Sequence, residues 1–218
     1  MTDVKICGIT NLDDALAACD CGAEALGFIF FKSSPRYVSP EEAGDIIAKL
    51  PGGVAKVGVF VNEEPAVVKS IYDSCGLDMI QIHGNESAEY CRGFSSHLLI
   101  KALNPWASKS FPELDEWTPH AFLVDSGDAA KYGGTGNLSD WGFARDLARR
   151  YPLILAGGLN PKNVGRAIRT VSPAAVDVGS GVEREPGKKD HVKMRSFIER
   201  ARAAGCGGSG GIFEVNSY

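Results

Sequence analysis

Eight apolar runs, each of a length suited to a buried strand, alternate along this chain with stretches of helical spacing. The strand-like runs are 4–9, 25–31, 55–61, 79–83, 98–103, 121–125, 153–156 and 175–179. The helix-like stretches are 11–21, 39–50, 65–75, 86–94, 105–118, 140–150, 161–171 and 190–204. Strand followed by helix, repeated eight times, predicts an α/β fold: one closed parallel (β/α)8 barrel, or TIM barrel, over residues 1–204. A doubly wound open sheet would give a similar order of elements, but eight units favour closure.

Residues 205–218 have a different composition from the rest of the chain. Five of the seven residues from Gly205 to Gly211 are glycine, and the other two are Cys206 and Ser209. That composition is typical of a flexible linker, so we expect a C-terminal tail that lies outside the core.

Composition and charge exclude several classes of protein. Lys and Arg number 23 against 27 Asp and Glu, giving a net charge of −4 without a basic block, which argues against a nucleic-acid partner. No apolar run reaches the length of about 18 residues that a membrane span needs. The N-terminal segment has no secretory-signal pattern, so we expect the six cysteines to be reduced in the cytoplasm. No Cys or His cluster has zinc spacing, and no metal site is expected.

Glycine-rich segments follow the last three predicted strands. In a barrel of this kind, active residues lie at the carboxyl ends of strands, and phosphate binds in the loops after strands seven and eight. Glycine lets backbone N–H groups approach an anion closely. We therefore expect a phosphate site at Gly134, Gly136, Gly157, Gly158, Gly179, Ser180 and Gly181. We also expect a side chain at position 158 or 181 to obstruct the phosphate without unfolding the chain.

Two residues at strand ends are candidates for proton transfer. Cys7 ends the first strand, on the same face as Lys5, and its thiolate would be able to remove a proton from carbon. A cysteine in a strand is also commonly a small buried apolar residue. Asp125 closes strand six, where it is either a turn residue or an acid that pairs with Cys7 in catalysis.

Four further polar residues are candidates for substrate contact. Arg36 lies in the second loop and suits a bidentate contact with a carboxylate, the alternative being an exposed charge. Gln81 and His83 share a strand face, and His83 is a ligand contact, a proton carrier or a structural group that orients its neighbours. Asp177 is inside strand eight, so it must pair with Lys5 or another internal polar group, or touch the ligand.

Several segments together resemble the phosphoribosylanthranilate isomerase family. They are KICGIT (5–10), GVFVN (58–62), QIHG (81–84), YGGTG (132–136), AGGLNP (156–161), DVGSGVE (177–183) and PGKKD (186–190). The likeness covers about 1–204 in order. Two positions are less typical: Gly179 stands where Ser is common, and the segment 126–130 is not distinctive.

The resemblance implies a (β/α)8 barrel of tryptophan biosynthesis that needs no metal or organic cofactor. It also implies an Amadori rearrangement of a phosphosugar substrate. We expect a monomer or a homodimer, between which the sequence does not decide. It assigns the general base to Cys7, the general acid to Asp125 and the anthranilate carboxylate contact to Arg36. The acid must carry a proton when it acts, so we expect a raised pKa for Asp125.

Two alternatives stay open at this point. The isomerase of histidine biosynthesis performs the same rearrangement, but an Asp at the end of strand one would favour it, and this chain has Cys7. A non-catalytic ligand-binding barrel would be favoured by loss of the base or the acid, and both are present.

Overall fold

The computed structural model describes residues 2–103, 114–125, 141–205 and 211–213. Eight parallel strands close into one barrel in the order β1 to β8, with β8 hydrogen-bonded to β1. The strands are β1 Asp3–Cys7, β2 Ala25–Ile29, β3 Ala55–Phe60, β4 Met79–Ile82, β5 Leu99–Leu103, β6 Ala121–Val124, β7 Leu153–Leu155 and β8 Ala175–Val178. The predicted barrel is confirmed, and the open sheet is excluded.

The helices of the described residues surround this barrel. They are α1 Leu12–Cys21, α2 Pro40–Ile47, α3 Pro65–Cys75, α4 Ala88–Cys91, α5 Trp141–Ala148, α6 Val164–Val171 and α7 His191–Ala204. Most of the predicted helix 105–118 is outside the described residues. Within the described ranges, no helix is long and apolar enough to cross a membrane.

The barrel buries both faces of its strands, which is why they are continuous apolar runs. One buried cluster fills the space between the strands and the helices, and a smaller one fills the barrel interior. Charged residues inside these strands are therefore conspicuous. Lys5 and Lys101 are 0% and 2% exposed, and each is paired with a carboxylate.

Local sequence signals determine where most helices begin. Ser39 caps α2 through a reciprocal capping box with Glu42, and Pro40 is the first helical residue. Helix α6, in contrast, begins at Val164 rather than at residue 161 as predicted. Asn160 and Asn163 explain the delay, because Asn163 Oδ1 accepts from the N–H of Asn160 and its Nδ2 donates to the carbonyl of Gly158.

A short antiparallel hairpin after β8 was not predicted. A 3-10 turn at Ser180–Val182 leads into β9 (Glu183–Glu185), and β10 (Lys188–Lys189) pairs back onto it. Pro186 and Gly187 form the connection, and this dipeptide is the turn signal that the sequence offers.

The C-terminal tail is partly docked on the barrel. Phe213 is 4% exposed and packs with the interior cluster of the barrel. Its N–H donates to Asp3 Oδ2 at 3.3 Å, and His120 Nε2 donates to the carbonyl of Ile212 at 2.8 Å. Because Asp3 begins β1 and His120 precedes β6, the contact is at the amino ends of the strands. The prediction of a tail outside the core is wrong for Phe213, whose apolar ring gains burial there.

Candidate active site

A cavity of about 720 Å³ opens at the carboxyl ends of the strands. It is lined by every predicted site residue within the described ranges: Cys7, Arg36, Gln81, His83, Asp125, Gly157, Gly158, Asp177, Gly179, Ser180 and Gly181. Gly134 and Gly136 lie outside the described residues. Side chains and loops from β1, β2, β4, β6, β7 and β8 thus meet in one place, as the barrel topology requires.

Cys7 is at the last position of β1 and is 9% exposed. Burial raises the pKa of its thiol, an effect that Lys5 opposes and Asp177 reinforces. Lys189 also opposes it, and its Nζ donates to the main-chain carbonyl of Cys7 at 2.6 Å. The thiol therefore sits among charges that control how readily it ionises.

Asp177 forms an ion pair with Lys5. Its Oδ1 lies 3.0 Å from Lys5 Nζ, and the two residues are in register between β8 and β1. Asp177 also lines the cavity. The internal pair with Lys5 is therefore present in the structure, and contact of Asp177 with a ligand stays a prediction.

Gln81 and His83 extend from the end of β4. Gln81 Nε2 donates to His83 Nδ1 at 2.8 Å, which leaves the proton of the neutral ring on Nε2. Burial, with Lys101 and Lys5 nearby, lowers the pKa of His83 to about 3. The ring is therefore neutral at pH 7. Its Nε2 faces Asp125 Oδ2 at 3.8 Å, too far for a direct hydrogen bond.

Gln81 has a polar atom that its neighbours leave open. The side chain is buried, and among the described residues nothing hydrogen-bonds to its Oε1. An unsatisfied buried acceptor is costly, and a ligand donor in the cavity would satisfy it.

Arg36 is anchored by a residue that the sequence reasoning missed. Its Nε and Nη2 donate to the two carboxylate oxygens of Glu183, and Lys189 Nζ donates to the same carboxylate at 2.9 Å. Glu183 and Lys189 belong to the hairpin after β8 and are both buried. Burial tends to raise the pKa of Glu183, but the two cations hold it below its ordinary value.

Two glycines of the proposed phosphate loops are required by their geometry. Gly158 has φ +64°, a backbone conformation that disfavours other residues. A Cβ at Gly181 would lie 1.8 Å from the main-chain oxygen of Leu159, because the loops after β7 and β8 touch there. The expectation that a side chain at position 181 would leave the fold intact is therefore wrong.

Among the residues that the structure describes, no group of three or more His, Cys, Asp or Glu side chains is arranged to hold an ion.

This chain resembles known enzymes of a single family in sequence. Residues 4–200 match the family model described as N-(5'-phosphoribosyl)anthranilate (PRA) isomerase. The N-(5'-phosphoribosyl)anthranilate isomerase of Syntrophus aciditrophicus is 51% identical over 202 residues, which are 93% of this chain and 88% of that protein.

Two solved structures show the same likeness in three dimensions. A phosphoribosyl anthranilate isomerase in complex with reduced 1-(o-carboxyphenylamino)-1-deoxyribulose 5-phosphate is 41% identical, with a TM-score of 0.79 over 93% of this chain and 100% of that one. A structure of monomers generated from the dimeric enzyme of Thermotoga maritima is 40% identical, with a TM-score of 0.80 and the same coverage.

Proposed function

Because the chain belongs to the N-(5'-phosphoribosyl)anthranilate isomerase family, we propose that Cys7 and Asp125 are the base and the acid of its reaction. The chain is an isomerase of tryptophan biosynthesis. It rearranges N-(5-phosphoribosyl)anthranilate to 1-(2-carboxyphenylamino)-1-deoxyribulose 5-phosphate. The observation that carries the proposal is the convergence of Cys7, Asp125, Arg36 and the glycine loops on one cavity.

The positions of the strands suit this division of roles. Around the barrel the order is β7, β8, β1, β2, so Cys7 stands between the glycine loops and the loop that carries Arg36. If the phosphate of the substrate binds at the glycine loops and its carboxylate binds at Arg36, the sugar between them would lie next to Cys7. Asp125 follows β6, which is separated from β1 by two strands on one side and four on the other, so it approaches the sugar from across the mouth.

The reaction then proceeds by successive proton transfers. Asp125 protonates the furanose ring oxygen, and the ring opens to a protonated imine. The Cys7 thiolate removes the proton from C2′, which gives a neutral enolamine and a thiol. In the last step C1′ of the enolamine gains a proton and its C2′ hydroxyl loses one, which gives the aminoketose, and proton exchange with water returns Cys7 to the thiolate and Asp125 to the acid. General acid and base groups of this kind contribute about 10²–10⁴-fold each, and fixing both ends of the substrate keeps the reacting atoms in place.

The remaining polar residues hold the substrate. Arg36 binds the anthranilate carboxylate, and the loops at Gly157–Gly158 and 179–181 bind the phosphate through backbone amides. Gly134 and Gly136 complete that phosphate site in the proposal. The open acceptor Gln81 Oε1 supports a contact with a substrate hydroxyl or amine, and His83 orients Gln81 and faces Asp125. Asp177 fixes Lys5 through their ion pair, and it also lines the cavity, where it would contact the substrate.

We place the enzyme in the cytoplasm, as a monomer or homodimer. The described cysteines, Cys7, Cys19, Cys21, Cys75 and Cys91, are free thiols, which suits a reducing compartment. The Thermotoga maritima relative is described as dimeric, and monomers were generated from it, so either state is compatible with the fold of that relative.

Two substitutions test the proposal. Cys7→Ser and Asp125→Asn should each lose turnover by at least about 10²-fold in a fluorescence assay of substrate consumption. Their affinity for the reduced product analogue, measured by calorimetry, should stay within about tenfold of the parent protein, because neither is a binding anchor. Cys19→Ser and Asp45→Asn, on helices outside the cavity, serve as matched controls. Parent-like turnover in either active-site variant would overturn the assignment of that residue.

A further inference from the structure

Lys5 is a lysine with no exposed surface in the middle of a barrel strand. Burying an ammonium group is costly unless it is paired, and a buried pair is often no more stable than apolar residues of similar size. Lys5 is paired, since Asp177 lies 3.0 Å away. Stability alone therefore gives little reason for this pair, and its surroundings suggest a role in the reaction.

Lys5 and Cys7 point the same way from β1, because residues two apart share a strand face. The two side chains meet over Gly27 of β2, which is in register with Cys7. A Cβ on Gly27 would lie 2.8 Å from Cys7 Sγ and 3.1 Å from Lys5 Nζ. The missing side chain at position 27 therefore provides the space in which the sulfur and the ammonium nitrogen are neighbours.

Burial alone would lower the pKa of Lys5, but Asp177 and Cys7 together raise it. The nitrogen therefore stays protonated beside the sulfur. A protonated amine donates a hydrogen bond to a thiolate and attracts it, and both effects favour the ionised form of the sulfur.

The other charged and titratable groups around Cys7 come from several further elements. Lys189 of β10 donates to the Cys7 carbonyl, and Arg36 is in the loop after β2. Both of these cations are bound to Glu183. Asp177 approaches from β8, and His83 and Asp125 line the opposite part of the cavity. Of the nearby cations, Lys5 is the one whose carboxylate partner, Asp177, also acts directly on the thiol.

We propose that Lys5, held in place by Asp177, is the positioning residue of the general base and stabilises the Cys7 thiolate. Lys5 remains an ammonium ion throughout: the thiolate takes the C2′ proton and becomes a thiol, and Lys5 exchanges no proton with the substrate. Asp177 fixes the ammonium group and limits its effect on the sulfur. The two members of the pair therefore act on Cys7 in opposite directions. The inference rests on the proposed role of Cys7 as the base.

The pH dependence of Cys7 alkylation by iodoacetamide tests this directly, with modification of the Cys7 peptide followed by mass spectrometry. Below the midpoint, the alkylation rate follows the thiolate fraction, which changes tenfold for each unit of pKa. Lys5→Met should slow alkylation at pH 7.5 about tenfold and move the midpoint upward. Asp177→Asn should accelerate alkylation and move the midpoint downward. A purely structural pair would not shift the midpoint in opposite directions.

A control variant and a comparison within the Asp177→Asn variant complete the test. Lys101→Met removes an equally buried lysine from β5, and it should leave the alkylation profile of Cys7 unchanged. If Lys5→Met fails to fold, the comparison of Asp177→Asn with Lys5→Met/Asp177→Asn measures the same effect without an unpaired buried carboxylate. An unmoved midpoint in both comparisons would overturn the proposal.

This result is independent of the proposed function. Alkylation reports the ionisation of Cys7 whether or not Cys7 acts in the reaction. A shifted midpoint together with an active Cys7→Ser variant would refute the role of Cys7 as the base while leaving the effect of Lys5 on the thiol intact. Unshifted midpoints together with an inactive Cys7→Ser variant would refute the role of Lys5 alone.

Discussion

Arg36 Nε and Nη2 lie 2.8 and 2.7 Å from the two carboxylate oxygens of Glu183, so the guanidinium group is held along one edge. A guanidinium group has five N–H donors, and this contact engages two of them. In the proposed complex, the remaining donors bind the carboxylate of the substrate. Glu183 thus fixes the position of Arg36, from which it would make the proposed contact with the substrate carboxylate.

The first prediction concerns recognition of the substrate carboxylate. Arg36→Met should raise KM at least tenfold for the anthranilate substrate, because the bidentate charge is lost. KM for the aniline analogue, which lacks the carboxylate, should change little. Steady-state kinetics on both substrates measures this, with exposed Arg184→Met as the control. Equal increases of KM on the two substrates would show that Arg36 does not read the carboxylate.

The second prediction compares two glutamates of the same hairpin. Glu183→Gln leaves Arg36 and the buried Lys189 without their shared counter-charge, and it should lower the free energy of unfolding by about 3 kcal/mol. Glu185 pairs with Lys188 at the surface, where water screens the interaction, so Glu185→Gln should have little effect. Denaturant unfolding measures both variants. Similar stabilities for the two would contradict a structural role for Glu183.

The third prediction concerns the phosphate loops. Ser180→Asp would place a negative charge among the amides after β8, and it should weaken binding of inorganic phosphate at least tenfold, or about 1.4 kcal/mol. Ser180→Ala should bind nearly as the parent does, because the proposed recognition is by the backbone. Calorimetric titration distinguishes the two variants. Unchanged affinity in Ser180→Asp would place the phosphate elsewhere.

The fourth prediction follows from the neutral, buried His83. Its pKa is lowered to about 3 from an ordinary 6.5, so the unfolded chain binds more protons between these values. The stabilising effect of the depressed pKa is present above about pH 6.5 and is lost as the pH falls toward 3. It contributes a slope of up to about 1.4 kcal/mol per pH unit.

His83→Asn should remove that contribution, so the stability of the variant should fall less steeply with acid than that of the parent. Denaturant midpoints at a series of pH values between 7 and 4 measure the difference. The carboxylates contribute to both proteins and cancel in the comparison. Parallel curves would show that His83 is not held neutral by the fold.

The fifth prediction concerns the docked C-terminal segment. Phe213→Ala should lower the free energy of unfolding by about 3 kcal/mol, the lower end for a buried phenylalanine. Truncation after Gly205 should cost about the same if Phe213 is the main anchor. Turnover should not change in either variant, since the contact is at the opposite end of the barrel from the cavity. Parent-like stability in both variants would show that the segment does not stabilise the barrel.

The sequence predicted the barrel and most of the cavity for a physical reason. Strands buried on both faces must be apolar, and in such barrels the polar residues at strand ends meet at one mouth. Cys7, Asp125 and the glycine pairs followed from that rule alone. Glu183 and Lys189 did not, because their importance depends on a hairpin that folds back across β1 and β2. The burial of Phe213 was not predicted, because the glycine-rich segment that precedes it is typical of a flexible tail.

The pairing of β1 with β8 has a consequence for synthesis of the protein. The ribosome releases Lys5 and Cys7 first, yet Asp177, Glu183 and Lys189 follow only when most of the chain has been made. A nascent chain that ends before β8 therefore carries an unpaired lysine and two strand edges that have no partner, which invites aggregation. Completion of the last strand supplies the counter-charge of Lys5 and the missing edge together, so we expect closure of the barrel and assembly of the charges around Cys7 to come late in translation.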